Sequence, residues 1–182
     1  SYGTYNNEGF VSGGAPDNVS NEEYYGVVTA SRVPRKAYVN LKDLFGNTPN
    51  LILNPGFENK KNQWITNGTI DATVHLSGKY SLKLTRNTAV SDPPLRVIPN
   101  QRYMFMGWVK TAGGTGLIGI QWFDSSGNLI STKYLNPAFM FITGWQFQIH
   151  TYLKAPSNAA TARIQCQSLG KTVWFDDLQL LP

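Results

Sequence analysis

Three planar polar side chains recur at short spacing in this chain, and their chemistry suits a polyhydroxylated ligand. In Ala162-Arg-Ile-Gln-Cys-Gln167 the alternation puts Ile164 and Cys166 on one side and Arg163, Gln165 and Gln167 on the other. Amides and a guanidinium hold donors and acceptors in fixed planes that match vicinal hydroxyls. Gln121 and Gln148 extend this row from neighbouring strands. Such a row works best beside an aromatic ring, because the C–H face of a sugar packs on the ring while its hydroxyls reach the amides. Trp108 and Trp122 are the in-strand candidates for that platform, with Trp64 and Tyr134 as loop or rim alternatives. Trp122 also alternates with Ile118 and Ile120, as a core residue would.

Hydrolytic chemistry finds less support. Cleavage of a glycosidic bond needs two carboxylates roughly 5 to 9.5 Å apart, and Glu8 is the only acid in a polar aromatic stretch. His75 and His150 lack a plausible nucleophile, so no triad is expected. The single cysteine, Cys166, shares a side with Ala162 and Ile164, which makes it a small apolar filler rather than a reactive thiol.

The elements that must position these groups are short strands. With 182 residues, 41% of them apolar and 13% aromatic, the chain can bury one good core. From residue 51 onward, alternating runs are separated by turn clusters such as Asn67-Gly68, Ser77-Gly78, Asp92-Pro-Pro94, Ala112-Gly-Gly-Thr-Gly116 and Ser125-Ser-Gly-Asn128. That spacing predicts an all-β fold, a β-sandwich or jelly roll. Before it, Pro34 to Phe45 places Ala37, Tyr38, Leu41, Leu44 and Phe45 on one stripe, with Gly46 just beyond, and predicts one short N-terminal helix. In Tyr103 to Lys110 the set Tyr103, Phe105, Gly107 and Val109 reads inward, leaving Trp108 outward. The formal charge is +5, and residues 51 to 182 carry the excess, with twelve basic side chains against six acidic. These cations are spaced singly through strands and turns, unlike a nucleic-acid footprint. No apolar run approaches the roughly 20 residues that cross a bilayer, so neither nucleic acid nor a membrane is an expected partner.

Several phrases, in order, carry a resemblance: Asn50-Leu-Ile-Leu-Asn-Pro-Gly-Phe-Glu58, His75-Leu-Ser-Gly-Lys-Tyr-Ser-Leu-Lys-Leu84, Tyr103-Met-Phe-Met-Gly-Trp-Val-Lys110, Gln121-Trp-Phe-Asp124, Gly144-Trp145 and Val173-Trp-Phe-Asp-Asp-Leu-Gln-Leu-Leu181. Together they resemble the carbohydrate-binding modules of families 4, 9, 16 and 22, which bind glycans without cleaving them. The resemblance implies a structural calcium shared by the Glu of the first phrase, an Asp of the last and the Ser-Gly-Lys turn. Here those are Glu58, Asp176 or Asp177, and Ser77 to Lys79, with family position favouring Asp177. Two carboxylates plus carbonyls suit an ion that takes six to eight oxygens.

A second resemblance covers about a quarter of the chain. Asn21-Glu-Glu-Tyr-Tyr-Gly-Val-Val, Arg32-Val-Pro-Arg-Lys-Ala-Tyr and Leu41-Lys-Asp-Leu-Phe45 are similar to the last strand and helix of a (β/α)8 glycoside hydrolase. A whole barrel needs roughly 200 residues or more, so this implies a catalytic domain upstream in the same protein. The expected organisation is a barrel remnant over 1–46, a hinge over 47–50 and a carbohydrate-binding sandwich over 51–182. The implied role is a non-catalytic module of a secreted, extracellular hydrolase that holds it near a β-glucan, xylan or mannan. The alternative is a structural or interaction sandwich that packs on the catalytic barrel and binds no glycan.

Overall fold

A computed structural model of the chain describes residues 49–138 and 142–182. The predicted helix over 34–45 and the barrel-like stretch over 1–46 lie outside them. Eleven strands run in order: β1 (Trp64–Thr66), β2 (Thr69–Asp71), β3 (Ser81–Thr85), β4 (Thr88–Ser91), β5 (Leu95–Arg96), β6 (Arg102–Thr111), β7 (Thr115–Phe123), β8 (Leu129–Tyr134), β9 (Trp145–Lys154), β10 (Thr161–Leu169) and β11 (Thr172–Leu181). They form two antiparallel sheets. The first has the order β1-β4-β10-β7-β8, with β5 also pairing β10, and the second has the order β2-β3-β11-β6-β9. The all-β sandwich expected from the spacing of turns is the observed fold, and among the described residues there is no helix.

Alternation builds the core between the sheets. On β6 the inward set is Tyr103, Phe105, Gly107, Val109 and Thr111, and on β10 it is Ala162, Ile164, Cys166 and Ser168. Both inward sets match the sequence parity, because a strand with one buried face cannot slip by a residue without exposing its apolar set. Cys166 is fully buried, and that burial pushes its thiol well above the ordinary value. Gly107 lets the two layers approach closely. A β-carbon there would lie 2.5 Å from Leu178 Cδ2 and 2.8 Å from Ile118 Cδ1.

The first sheet is interrupted beside the middle of β10. Strand β4 covers Gln165 to Gln167, and β5 covers Thr161 and Ala162. The amide of Ile164 falls between them and donates instead to Ser91 Oγ at 2.9 Å. Arg163 closes the same gap, donating from Nη1 to the Ser91 carbonyl at 2.8 Å and to Asp92 Oδ1 at 3.0 Å.

On the outer face of the second sheet, Trp174 Nε1 donates to Asp71 Oδ2 at 2.9 Å, and Thr73 donates to Asp71 Oδ1 from its hydroxyl at 2.6 Å and its amide at 2.8 Å. These bonds, led by the Thr73 hydroxyl, hold the Asp71 carboxyl well below the usual range. A depressed acid contributes stability that is present at neutral pH and lost as pH falls below the unfolded value, about 4. Asp71→Asn is therefore expected to cost about 1 kcal/mol at pH 7, with the gap to the parent protein narrowing in acid. Urea unfolding at pH 7 and pH 3 checks this.

Candidate functional site

The outer face of the first sheet gathers the polar row that alternation implied. Registers place Ile65, Val90, Gln165, Gly119 and Tyr134 in one line across five strands. Beside it, Arg163, Gln121 and Thr132 form a second line, and Thr88, Gln167 and Leu117 a third. Arg163 to Gln167 spans four residue steps of one strand, about 13 Å, so the face is long enough to lie along an extended ligand.

Two features distinguish this surface from an ordinary solvated sheet. Gln165 is 8% exposed, and its Oε1 is buried without a hydrogen-bond partner. A buried acceptor left unpaired costs about 1–3 kcal/mol, a cost that a ligand hydroxyl would remove. The second is Gly119, directly opposite both Gln165 and Tyr134. A β-carbon at Gly119 would sit 2.7 Å from Tyr134 Cδ1, so the tyrosine ring rests against the bare backbone of β7. Tyr134 is 38% exposed and offers the aromatic surface nearest the amides. Glycine between two isoleucines in a strand is the signal for this close approach, and it marks a site residue that is neither polar nor aromatic.

The remaining platform candidates sit elsewhere. Trp122 is 2% exposed and packs at 6.0 Å from Tyr103 inside the core, as its alternation with Ile118 and Ile120 allowed. Trp64 is 6% exposed, packs at 5.1 Å from Phe57 and donates from Nε1 to the Asn54 carbonyl. Neither ring can present its face to a sugar. Trp108 does point outward, but on β6 of the other sheet, where it stacks at 5.0 Å on Phe147 of β9. The expected cradle of Trp108 beside Gln165 therefore does not form, because the two residues face away from each other on opposite layers. Gln148 also departs from expectation: it lies on β9 opposite Gly107, points inward and is 6% exposed.

The acids of the two terminal phrases hold neighbouring parts of one turn, residues 76 to 80. Glu58 Oε1 accepts from the amides of Lys79 at 2.9 Å and Tyr80 at 3.1 Å, and a β-carbon on Gly78 would strike the Glu58 carboxylate. Asp176 Oδ2 accepts from the amides of Leu76 at 2.8 Å and Ser77 at 3.3 Å, and the Ser77 hydroxyl donates to Asp177 Oδ1 at 2.8 Å. Strict parity would separate Asp176 from Asp177. A bulge between Asp176 and Gln179, with Asp177 at φ 48°, brings both to the Ser77 corner. Asp176 is fully buried, and desolvation raises its carboxyl to about 6, with the neighbouring Asp177 charge adding to the rise. All donors in this corner are hard oxygens, which is the chemistry calcium takes. Among the described residues no three acidic, histidine or cysteine side chains converge, so backbone carbonyls of the turn would have to complete a shell.

No protein-family model matches the chain, and no curated protein matches it. Solved structures do. The C-terminal family 22 carbohydrate-binding module of Clostridium thermocellum Xyn10B superposes with a TM-score of 0.58 at 16% identity, covering 70% of this chain and 90% of the module. The chain shares its β-sandwich fold with that module. TmCBM61, solved in complex with β-1,4-galactotriose, gives a TM-score of 0.52 at 16% identity over 74% of this chain and 99% of its own. The same sandwich occurs in the enzymatically active domain of tailspike protein 4 of bacteriophage CBA120, with a TM-score of 0.61 at 14% identity, over 72% of this chain but 21% of that one.

Proposed function

We propose that the described sandwich binds a β-linked polysaccharide along the outer face of its first sheet and acts as the non-catalytic, targeting part of a secreted glycoside hydrolase. The buried, unpaired Oε1 of Gln165 carries this reading, since it lies in line with an exposed tyrosine ring and calls for a donor that the protein does not supply. One sugar would pack its C–H face on Tyr134 while its hydroxyls reach Gln165, and neighbouring units would reach Gln121, Arg163 and Gln167. Fold neighbours solved with or named for glycans support it: one is a xylan-binding domain, and another holds a galactotriose. Binding of this shallow kind acts through effective concentration, keeping a catalytic domain in cis near its β-glucan, xylan or mannan. In this proposal residues 1–46 end that catalytic domain and residues 47–50 link it to the sandwich. The Glu58, Ser77, Lys79 and Asp177 corner, with Asp176, would hold a calcium ion that fixes the chain ends and takes no part in sugar contact.

Affinity electrophoresis on xylan, β-glucan, mannan and galactan tests the face directly. Removing a hydrogen bond and a ring contact together, Gln165→Ala with Tyr134→Ala, is expected to weaken binding about thirtyfold with the unfolding midpoint little changed. Trp108→Ala is expected to leave affinity intact. A doubly substituted protein that binds as tightly as the parent would refute the assignment.

The structural or interaction reading is favoured by one observation. Phe147 and Ile149, 47% and 43% exposed, lie beside Trp108 on the outer face of the second sheet and suit contact with another protein surface. Absence of retardation on every glycan would leave that role.

A further inference from the structure

We infer that the end of the glycan-binding face at Gln167 is a cationic subsite for an acidic substituent, a carboxylate or sulfate ester carried by the bound polysaccharide. The inference rests on the reading above. Its starting point is the rim where the chain crosses between the sheets three times: at Arg86-Asn87, between β3 and β4, at Ala112-Gly113-Gly114, between β6 and β7, and at Gly170-Lys171, between β10 and β11. Arg86 lies between two recesses there. One, of about 250 Å³, is also lined by Thr88, Gln167 and Ser168, and so opens at the end of the amide row. The other, of about 360 Å³, is bordered by Lys171, Thr85 and Thr172.

The guanidinium is held rather than loose. Arg86 Nε donates to the Gly170 carbonyl at 3.1 Å, which ties the side chain to the turn after β10. Its two terminal nitrogens bond to nothing among the described residues and present the fork that matches an oxyanion. Lys171 adds a second charge, with its stem packed within 3.4 Å of a β-carbon position on Gly113.

Most cations of the sandwich lack an acidic partner: among the described residues only Lys83 and Arg163 of its twelve form ion pairs. Its six acids are all engaged elsewhere: Asp92 with Arg163, Asp71 with Lys83 and Trp174, Asp124 within its own turn, and Glu58, Asp176 and Asp177 in the corner. No acid lines either recess, and neither Arg86 nor Lys171 has an ion-pair partner among the described residues. Gln165 and Gln167 are two residues apart on β10, about 7 Å. A unit stacked on Tyr134 would therefore place the next unit, and its substituent, at Arg86. Neutral hydroxyls would leave both cations uncompensated.

The test compares the full chain with Arg86→Ala, Arg86→Lys and Gln165→Ala on four β-linked matrices: mannuronate-rich alginate for carboxylate, cellulose sulfate for sulfate, and uncharged xylan and galactan. One of the two acidic polymers is expected to bind about tenfold tighter than the neutral ones at low salt, with the advantage shrinking as salt rises. Arg86→Ala should abolish that advantage and leave neutral binding unchanged, Arg86→Lys should retain part of it, and Gln165→Ala should weaken binding to all polymers. The matrix that shows the advantage identifies the acid. Equal affinity for acidic and neutral polymers, or an advantage that survives Arg86→Ala, overturns the subsite while the glycan face stands. Acidic binding that survives Gln165→Ala marks plain ion exchange at the rim and also overturns it. Binding to none of the four defeats both readings.

Discussion

Trp122→Ala is expected to lower the unfolding free energy by about 3–5 kcal/mol, the usual cost of deleting a buried large aromatic, and to abolish glycan binding only through loss of the fold. The ring is 2% exposed and sits against Tyr103, directly beneath β10, where Ala162 is its cross-strand partner. Removing it leaves a void under the strand that carries Arg163 and Gln165. Trp108→Ala should behave differently. That ring is half-buried on the outer face of the opposite sheet, so its loss removes one contact with Phe147 and leaves the core layer untouched. Denaturant midpoints for the two variants, measured side by side, check the contrast. Equal stability losses would mean that the two indoles are not partitioned between core and surface as described.

The second large effect belongs to the acidic corner. Asp176 has a carboxyl raised to about 6 by burial, from an unfolded value near 4. Between those values the folded state binds more protons than the unfolded state, so stability falls as pH rises through the window. In chelator-treated protein the fall is expected to be on the order of 2–3 kcal/mol between pH 4 and pH 7, and Asp176→Asn, which keeps an acceptor for the Leu76 and Ser77 amides, should flatten it. Calcium should reverse the trend, because it binds the ionised acids. At a hundred times its dissociation constant an ion that binds only the folded state adds about 2.7 kcal/mol. The parent protein is expected to gain a higher midpoint in millimolar calcium at pH 7, and Asp177→Asn to gain less. A midpoint indifferent to both calcium and chelator would remove the ion from the account.

Strand parity made much of this legible in the sequence. The inward sets of β6 and β10, the burial of Cys166 and the outward row of Arg163, Gln165 and Gln167 all follow from alternation within single strands. Parity says which side of its own sheet a residue occupies. It cannot say which sheet the strand joins. Trp108 and Gln165 were both outward, yet β6 pairs with β11 and β9, whereas β10 pairs with β4 and β7. Pairing over such sequence distances depends on the whole topology, so the two residues ended on opposite layers. Trp122 shows the reverse situation. Its alternation with two isoleucines already favoured the core, and its attraction as a platform came from residue type alone. Asp176 and Asp177 reach the same turn for a local reason, since a bulge resets parity midway along β11 and leaves no mark in the alternation.

Gly119 has one further consequence. Because the tyrosine ring lies on bare backbone, the height of that ring above the sheet depends on a missing methyl group rather than on any residue that would touch a ligand. An alanine there would raise the floor of the groove while leaving the amides in place. Groove depth and polar selectivity are thus set by different positions, so a protein engineer could adjust one while holding the other fixed.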